Sequence, residues 1–172
     1  MPTRIILARH GETDWNRERR WQGHSDRPLN DTGREQAAAL AAQLADEPIS
    51  AVYSSDLVRA HETARIVAER LGLDVVTVPG LRERRFGSWE GLADVEVERR
   101  FPGIHSPPDG EAREEMTRRV LESLDAIAAS HPGETVLVVS HGGSIRAALR
   151  HHSHPSCNEA VGNCSVVDLE VD

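Results

Sequence analysis

His10 is the first residue of the chain whose surroundings suit covalent chemistry. It stands between Arg9 and Gly11 in the string Leu7-Ala8-Arg9-His10-Gly11-Glu12-Thr13-Asp14-Trp15-Asn16, directly after an apolar run. A neutral imidazole nitrogen is a competent nucleophile toward phosphorus. Arg9 offers a planar fork of donors suited to phosphate oxygens, and Gly11, lacking a Cβ, lets the backbone approach an anion. Arg59 falls in the first turn of an expected helix, where the helix N-terminus also favours an anion. His141 with Gly142-Gly143 opens another such helix. Glu83 suits a carboxyl group that gives a proton to a leaving alkoxide and then takes one from the attacking water. For the first task it must carry a proton when substrate binds, which Arg82, Arg84 and Arg85 oppose if they point inward. Glu12, Asp14 and Glu111 are lesser candidates for the same work. Taken singly, each group has a plainer reading: a solvated arginine, a surface ion pair, a satisfied core histidine.

These groups need rigid elements to bring them together. Arg4-Ile5-Ile6-Leu7-Ala8 reads as a strand buried on both faces. A helix is expected from near Thr32, where Thr32-x-x-Glu35 has the form of a capping box, to a stop at Pro48. Ala51 to Ser54 is a second strand, with Ser55 or Asp56 capping a helix that ends at Gly72. Val75 to Val78 reads as a third strand, and Arg113 to Ser130 as a helix with one apolar face. Thr135 to Ser140 is the best central strand, followed by a helix around Ile145 to Leu149. Ser165 to Glu170 alternates like an edge strand, and Leu92 to Gly110, with Pro102, Pro107 and Pro108, reads as loop. Alternating strands and helices imply an α/β class, a three-layer sandwich with a mainly parallel central sheet flanked by helices. Ligands of such sheets bind beyond the carboxyl ends of the strands, and Arg9-His10, Arg59, Glu83 and His141 each follow one of four such ends.

Length and composition bound what the site serves. The 172 residues suit one domain, 1–172. All 20 basic residues are Arg, which excludes a Schiff-base lysine and the lysine of a nucleotide-binding P-loop. The net charge of −8 argues against general nucleic-acid binding, although Arg4, Arg9, Arg17, Arg19, Arg20 and Arg27 crowd the first 27 residues. No apolar run approaches the ~18 residues of a membrane span, and no cleavage-type signal follows Met1, so a cytoplasmic location is expected. Cys157 and Cys164 are expected to be reduced, inert thiols. His151, His152 and His154 with Cys157 form a cluster that could suit zinc or nickel, but it lacks regular ligand spacing. A solvated terminus, with no metal and no cofactor, is the expectation. No exposed apolar stripe or heptad indicates an oligomeric state.

The chain resembles the histidine phosphatase superfamily, the group that includes phosphoglycerate mutases. Arg9-His10-Gly11-Glu12-Thr13 with Trp15-Asn16, Gln22-Gly23 and Leu29 to Gly33 is similar to its first signature. Ser54-Ser55-Asp56-Leu57 with Arg59-Ala60 and Thr63-Ala64 matches the second. Glu83 with Phe86-Gly87-x-Trp89-Glu90-Gly91 matches the third, and Ser140-His141-Gly142-Gly143 with Arg146 the fourth. The resemblance implies a phosphomonoesterase that forms phosphohistidine on His10, with Glu83 as acid and base. It implies that Arg9, Arg59 and His141 hold the phosphoryl oxygens, and that Gly11, Asn16, Gln22, Gly23 and Gly142 line the phosphate pocket. A small phosphorylated metabolite is the expected partner, with no nucleic acid and no membrane. Within the family a phosphatase is favoured over a bisphosphoglycerate-dependent mutase. Only 31 residues follow His141, whereas mutases resemble this chain in the core but carry longer insertions, a tail, and Asn where Gly143 stands. A phosphoprotein histidine phosphatase is the remaining alternative. Substrate choice is expected to reside in a short cap at about 92–118, where Ala112 departs from the family's usual Ser.

Overall fold

The structure, a computed structural model, describes all 172 residues, Met1–Asp172. Strands β1 (Thr3–Arg9), β2 (Ile49–Ser54), β3 (Val75–Thr77), β4 (Thr135–Ser140) and β5 (Val166–Val171) form one sheet in the order β3-β2-β4-β1-β5. Strand β4 is central and parallel to both β1 and β2, β3 is parallel to β2, and β5 closes the edge antiparallel to β1. The helices are α1 (Asp14–Arg17), α2 (Asp31–Gln43), α3 (Val58–Leu71), α4 (Asp94–Arg100), α5 (Arg113–Ser130) and α6 (Gly142–His151).

Strand side chains alternate between two apolar layers, as the pleat requires. Ile5, Leu7, Val136 and Val138 pack with Val120, Leu124 and Ile127 of α5 and Ile145 and Leu149 of α6. Ile6, Ala8, Leu137 and Val139 face the opposite side, against Leu40 and Leu44 and against Ala60, Ala64 and Val67 of α3. The result is the three-layer α/β sandwich the alternating elements predict. Because β1 and β4 are buried on both faces, they read as unbroken apolar runs. The four parallel strands all deliver their carboxyl ends to one edge of the sheet.

Several local expectations change. Helix α2 is capped by Asn30, whose side chain accepts from the Gly33 amide at 2.8 Å, and not by a capping box at Thr32. Neither Ser55 nor Asp56 caps α3. Leu57 holds the cap position, Ser55 Oγ accepts its amide, and Arg82 draws Asp56 into a two-point ion pair at 2.7 and 2.6 Å. Helix α6 is longer than the expected Ile145–Leu149 and begins directly at Gly142. The stretch 92–110 is not all loop, because Asp94–Arg100 is helical. There Glu96 folds back to accept the Ala93 amide at 2.8 Å and an Arg20 guanidinium at 2.9 Å. No helix is long and apolar enough to cross a membrane.

Candidate active site

The polypeptide leaves β1 at Arg9 and places His10 at the floor of a cleft, 3% exposed. The His10 amide donates to Ser140 O at 3.1 Å, which ties the loop to the end of β4. Its Nδ1 lies 2.7 Å from Gly11 O. A carbonyl can only accept, so Nδ1 carries the proton and Nε2 keeps its lone pair. Burial, then the nearby Arg59 and Arg9 guanidinium groups, hold the His10 pKa well below the ordinary 6.5. The ring is therefore neutral at physiological pH, the form a nucleophile needs.

Around it the other strand ends supply cations and donors. Arg59, 1% exposed on the first turn of α3, donates from its two terminal nitrogens to Ser25 O at 2.9 Å and Gly23 O at 2.7 Å. Its burial lowers its pKa to about 10, so it stays charged. Arg9 donates to Val161 O at 2.7 Å, and burial lowers its pKa as well. His141, 1% exposed, is the residue that opens α6 after β4, and its ring centroid lies 5.2 Å from that of His10. Its Nε2 is 2.9 Å from Ser55 Oγ. Three polar nitrogens of this group, Arg9 Nε, Arg59 Nε and His141 Nδ1, are buried without any partner. Buried polar nitrogens left unsatisfied cost about 1–3 kcal/mol each, and those of Arg9 and Arg59 belong to side chains that line one cavity.

Arg9, His10 and Arg59 line a cavity of about 250 Å³ together with Asn16, Gln22, Gly23, Glu83 and Gly142, whereas His141 lies buried beside His10 and is not part of the lining. Gln22 Oε1 is fixed by Thr13 Oγ1 at 2.8 Å, and Asn16 Oδ1 by the Thr13 amide at 3.1 Å, which turns each side-chain NH₂ free as a donor. Glu83 is held by two backbone donors, the Arg84 amide at 2.8 Å to Oε1 and the Gly143 amide at 2.9 Å to Oε2. Its arginine neighbours point away from it: Arg82 to Asp56, Arg84 to Glu111 O and Ser106 Oγ, Arg85 to Asp109 O. Arg9, Arg59 and Arg84 nevertheless stay within electrostatic reach of Glu83.

Besides His141, a second expected contributor is absent from the cavity. Gly11 donates its amide to Thr63 Oγ1 at 3.0 Å, and a Cβ there would strike the backbone of Gly33. Its lack of a side chain serves the packing of two chain segments, not the approach of an anion. The lesser candidates are also committed elsewhere. Glu111 is clamped by Arg119 at 2.6 and 2.8 Å, Asp14 pairs with Arg17 at 2.9 Å, and Glu12 accepts from Asn30 at 2.9 Å. Sequence reasoning gave no individual role to Arg19, Trp21, Phe86 and Arg146, which also line the cavity. Arg146 sits one helical turn after Gly142, a spacing that places both on the same face of α6. In the terminal cluster, the His151 and His152 rings are 5.1 Å apart, and His154 Nδ1 accepts the Ser156 amide at 3.1 Å. No group of three or more His, Cys, Asp and Glu side chains gathers closely enough to hold a metal ion.

A buried neutral imidazole thus stands beside a cavity lined by arginines at the carboxyl ends of a parallel sheet. The chain belongs to the histidine phosphatase superfamily (branch 1), whose model matches residues 5–172, and it is an enzyme of the histidine phosphatase type. It is 42% identical over 177 residues to phosphoglycerate mutase-like protein 4 of Arabidopsis thaliana, an alignment covering 94% of this chain and 76% of that protein. It is 39% identical over 178 residues to the metal-independent phosphoserine phosphatase of the same plant, covering 95% and 74%. The solved mycobacterial glucosyl-3-phosphoglycerate phosphatase in complex with VO3 superposes with a TM-score of 0.88 at 33% identity, covering 96% of this chain and 90% of that one.

Proposed function

We propose that the protein is a phosphomonoesterase that hydrolyses a small phosphorylated metabolite through a phosphohistidine intermediate on His10. The observation that carries this reading is a cavity lined by Arg9 and Arg59, each with a buried nitrogen lacking a partner, at a histidine whose proton is pinned on Nδ1 and whose ring lies 5.2 Å from that of His141. In the first half-reaction His10 Nε2 bonds to phosphorus while the P–O ester bond breaks, and protonated Glu83 gives its proton to the departing alkoxide. In the second, water attacks the phosphohistidine, Glu83 takes the water's proton, and the P–N bond breaks to release phosphate. The guanidinium groups and His141 stabilise the three equatorial oxygens, and Asn16, Gln22 and the Gly23 and Gly142 amides add donors. A loose transfer state needs mostly positioning and charge stabilisation of this kind.

We read residues 1–172 as one catalytic domain, cytoplasmic, with the stretch at about 92–118 acting as its cap. Hydrolysis is favoured over the mutase reaction because Gly143 leaves its amide on Glu83 and adds no side chain to shield the phosphoenzyme from water. The names of the two solved or curated phosphatase relatives support the same choice. The test is a phosphomonoester panel with alkaline quenching and mass mapping of the protein. Phosphate release with a phosphoryl group on His10 is expected. Turnover unaffected by His10→Ala would overturn the assignment. Conversion of 3-phosphoglycerate to its 2-isomer without phosphate release, in the presence of a little bisphosphoglycerate, would replace it by the mutase.

A further inference from the structure

The carboxyl of Glu83 can be placed only as firmly as the backbone that carries it. That backbone is irregular: residues Arg82 to Phe86 follow a short helical turn at Pro79–Leu81 and belong to no strand or helix. Carbonyls in such a segment lack a ladder partner and are ordinarily left to water. Here each carbonyl from Gly80 to Glu83 is taken by a side chain instead. Leu81 O accepts Ser140 Oγ at 2.8 Å, Arg82 O accepts Ser144 Oγ at 2.9 Å, and Glu83 O accepts His24 Nε2 at 2.8 Å.

The largest share falls to Arg119, a residue of α5 that stands 36 positions from Glu83. Its Nη1 donates to Gly80 O at 2.8 Å and to Arg82 O at 2.7 Å, and its Nη2 donates to Glu83 O at 2.8 Å. Its Nε and Nη2 meet the two carboxylate oxygens of Glu111 at 2.6 and 2.8 Å. A guanidinium has five N–H donors, and all of them are used. Glu111, 9% exposed, carries the grip past Glu83. Its Oε2 accepts the Arg85 amide at 3.1 Å, its own amide donates to Arg85 O at 2.9 Å, and its carbonyl accepts Arg84 Nε at 2.6 Å. One ion pair thus ties down the chain on both sides of Glu83, while neither of its members lines the phosphate cavity.

We propose that Arg119, with Glu111 as its counter-charge, is a positioning residue for Glu83. It fixes the backbone so that the carboxyl meets the leaving-group oxygen, and it touches no substrate itself. A lysine cannot replace it, because three donors on a flexible stem do not serve five acceptors around one planar fork. Misplacing a reacting group by ~1 Å costs up to about a hundredfold in rate.

This rests on the acid–base reading of Glu83, and the experiment separates the two. Arg119→Lys is compared with wild type for burst release of alcohol from an alkyl phosphate and from p-nitrophenyl phosphate. The alkyl burst should slow about tenfold, with the aryl burst and the inhibition constant of inorganic phosphate within about twofold of wild type. A loss shared equally by both esters, or no loss, would overturn the proposal. Should Arg119→Lys fail to fold, Arg119→Met/Glu111→Leu removes both charges together and leaves no buried ion unpaired. The same selective loss is expected there, and full alkyl turnover in the folded double variant would overturn the proposal. Hydrogen exchange reads the same point without turnover. The amides of Arg84 and Gly143, which donate to the Glu83 carboxyl, should exchange about fivefold faster in either variant, while those of β4 keep their rates. If wild type hydrolyses neither ester, the phosphatase reading fails and exchange alone decides: faster rates at those two amides sustain the positioning role, and unchanged rates sink it.

Discussion

Substituting Gly143 by Ala would place one methyl group against the carboxyl of Glu83. The Cβ would come within 3.0 Å of both Cδ and Oε2 and closer still to Oε1. Real Cβ atoms do not tolerate such approaches, so the carboxyl must move and lose the Gly143 amide, now at 2.9 Å. A hydrogen bond to the neutral carboxyl that acts in this step contributes about 1 kcal/mol, which corresponds to a roughly fivefold fall in kcat. The fold should survive, because Gly143 lies inside α6 with an ordinary backbone, and Ala in a helix gains about 0.5–1 kcal/mol over Gly. The assay is pre-steady-state release of alcohol from an alkyl phosphate and from p-nitrophenyl phosphate. The alkyl ester needs a proton on its leaving group, and its burst should slow by the full factor. The aryl ester needs none, and its burst should change little. Alkyl turnover within about twofold of wild type, with Glu83 displaced, would refute the acid role.

Ser55→Ala removes the hydroxyl beside His141 Nε2. Ser55 Oγ also accepts the Leu57 amide, and the expected arrangement has its proton directed to Nε2, which keeps the single proton of the neutral His141 ring on Nδ1. Losing that preference should lower kcat about tenfold and shift the His141 tautomer seen by nitrogen NMR; an unchanged tautomer would contradict this. Arg59→Lys keeps a charge but loses the fork that holds Ser25 O and Gly23 O, so kcat/KM should fall about a hundredfold, or more. Phosphate inhibition as strong as in wild type would refute it. His10 and His141 both have folded pKa values below the ordinary 6.5, chiefly from burial. As pH falls below about 6.5 the unfolded chain takes up two protons that the folded chain refuses, so stability declines by up to about 2.7 kcal/mol per pH unit for the pair. Urea midpoints between pH about 6.5 and about 5.5 check this, and a flat profile would mean the imidazoles are charged in the fold.

Patterns set by local periodicity were fully legible. The apolar stripe of α5 places its bounds at Arg113 and Ser130, and the uninterrupted β4 run marks the central strand. Helix α4 was hidden because it buries only Val97, too little for an apolar stripe, and because prolines and glycines follow it. Asn30, Asp31 and Thr32 are all good cap formers in a row, and only the fold decides that Asn30 serves. The placement of His10, Arg9, Arg59, Glu83 and His141 after strand ends was readable from the sequence, but that His141 lies outside the cavity lining was not. Gly11 was misread because its neighbour Gly33 arrives from another segment. The Ser55–His141 contact spans 86 positions, and the Arg119 contact with Glu83 O spans 36. Neither leaves a mark on local spacing.

Whether the phosphoryl group visits the protein at all is tested most directly at phosphorus itself. A phosphomonoester made chiral with three oxygen isotopes, turned over in the presence of an acceptor alcohol, reports its stereochemical course in the product ester. Two in-line displacements, onto His10 and off again, predict retention of configuration. Inversion would mean a single direct attack and would contradict the phosphohistidine pathway.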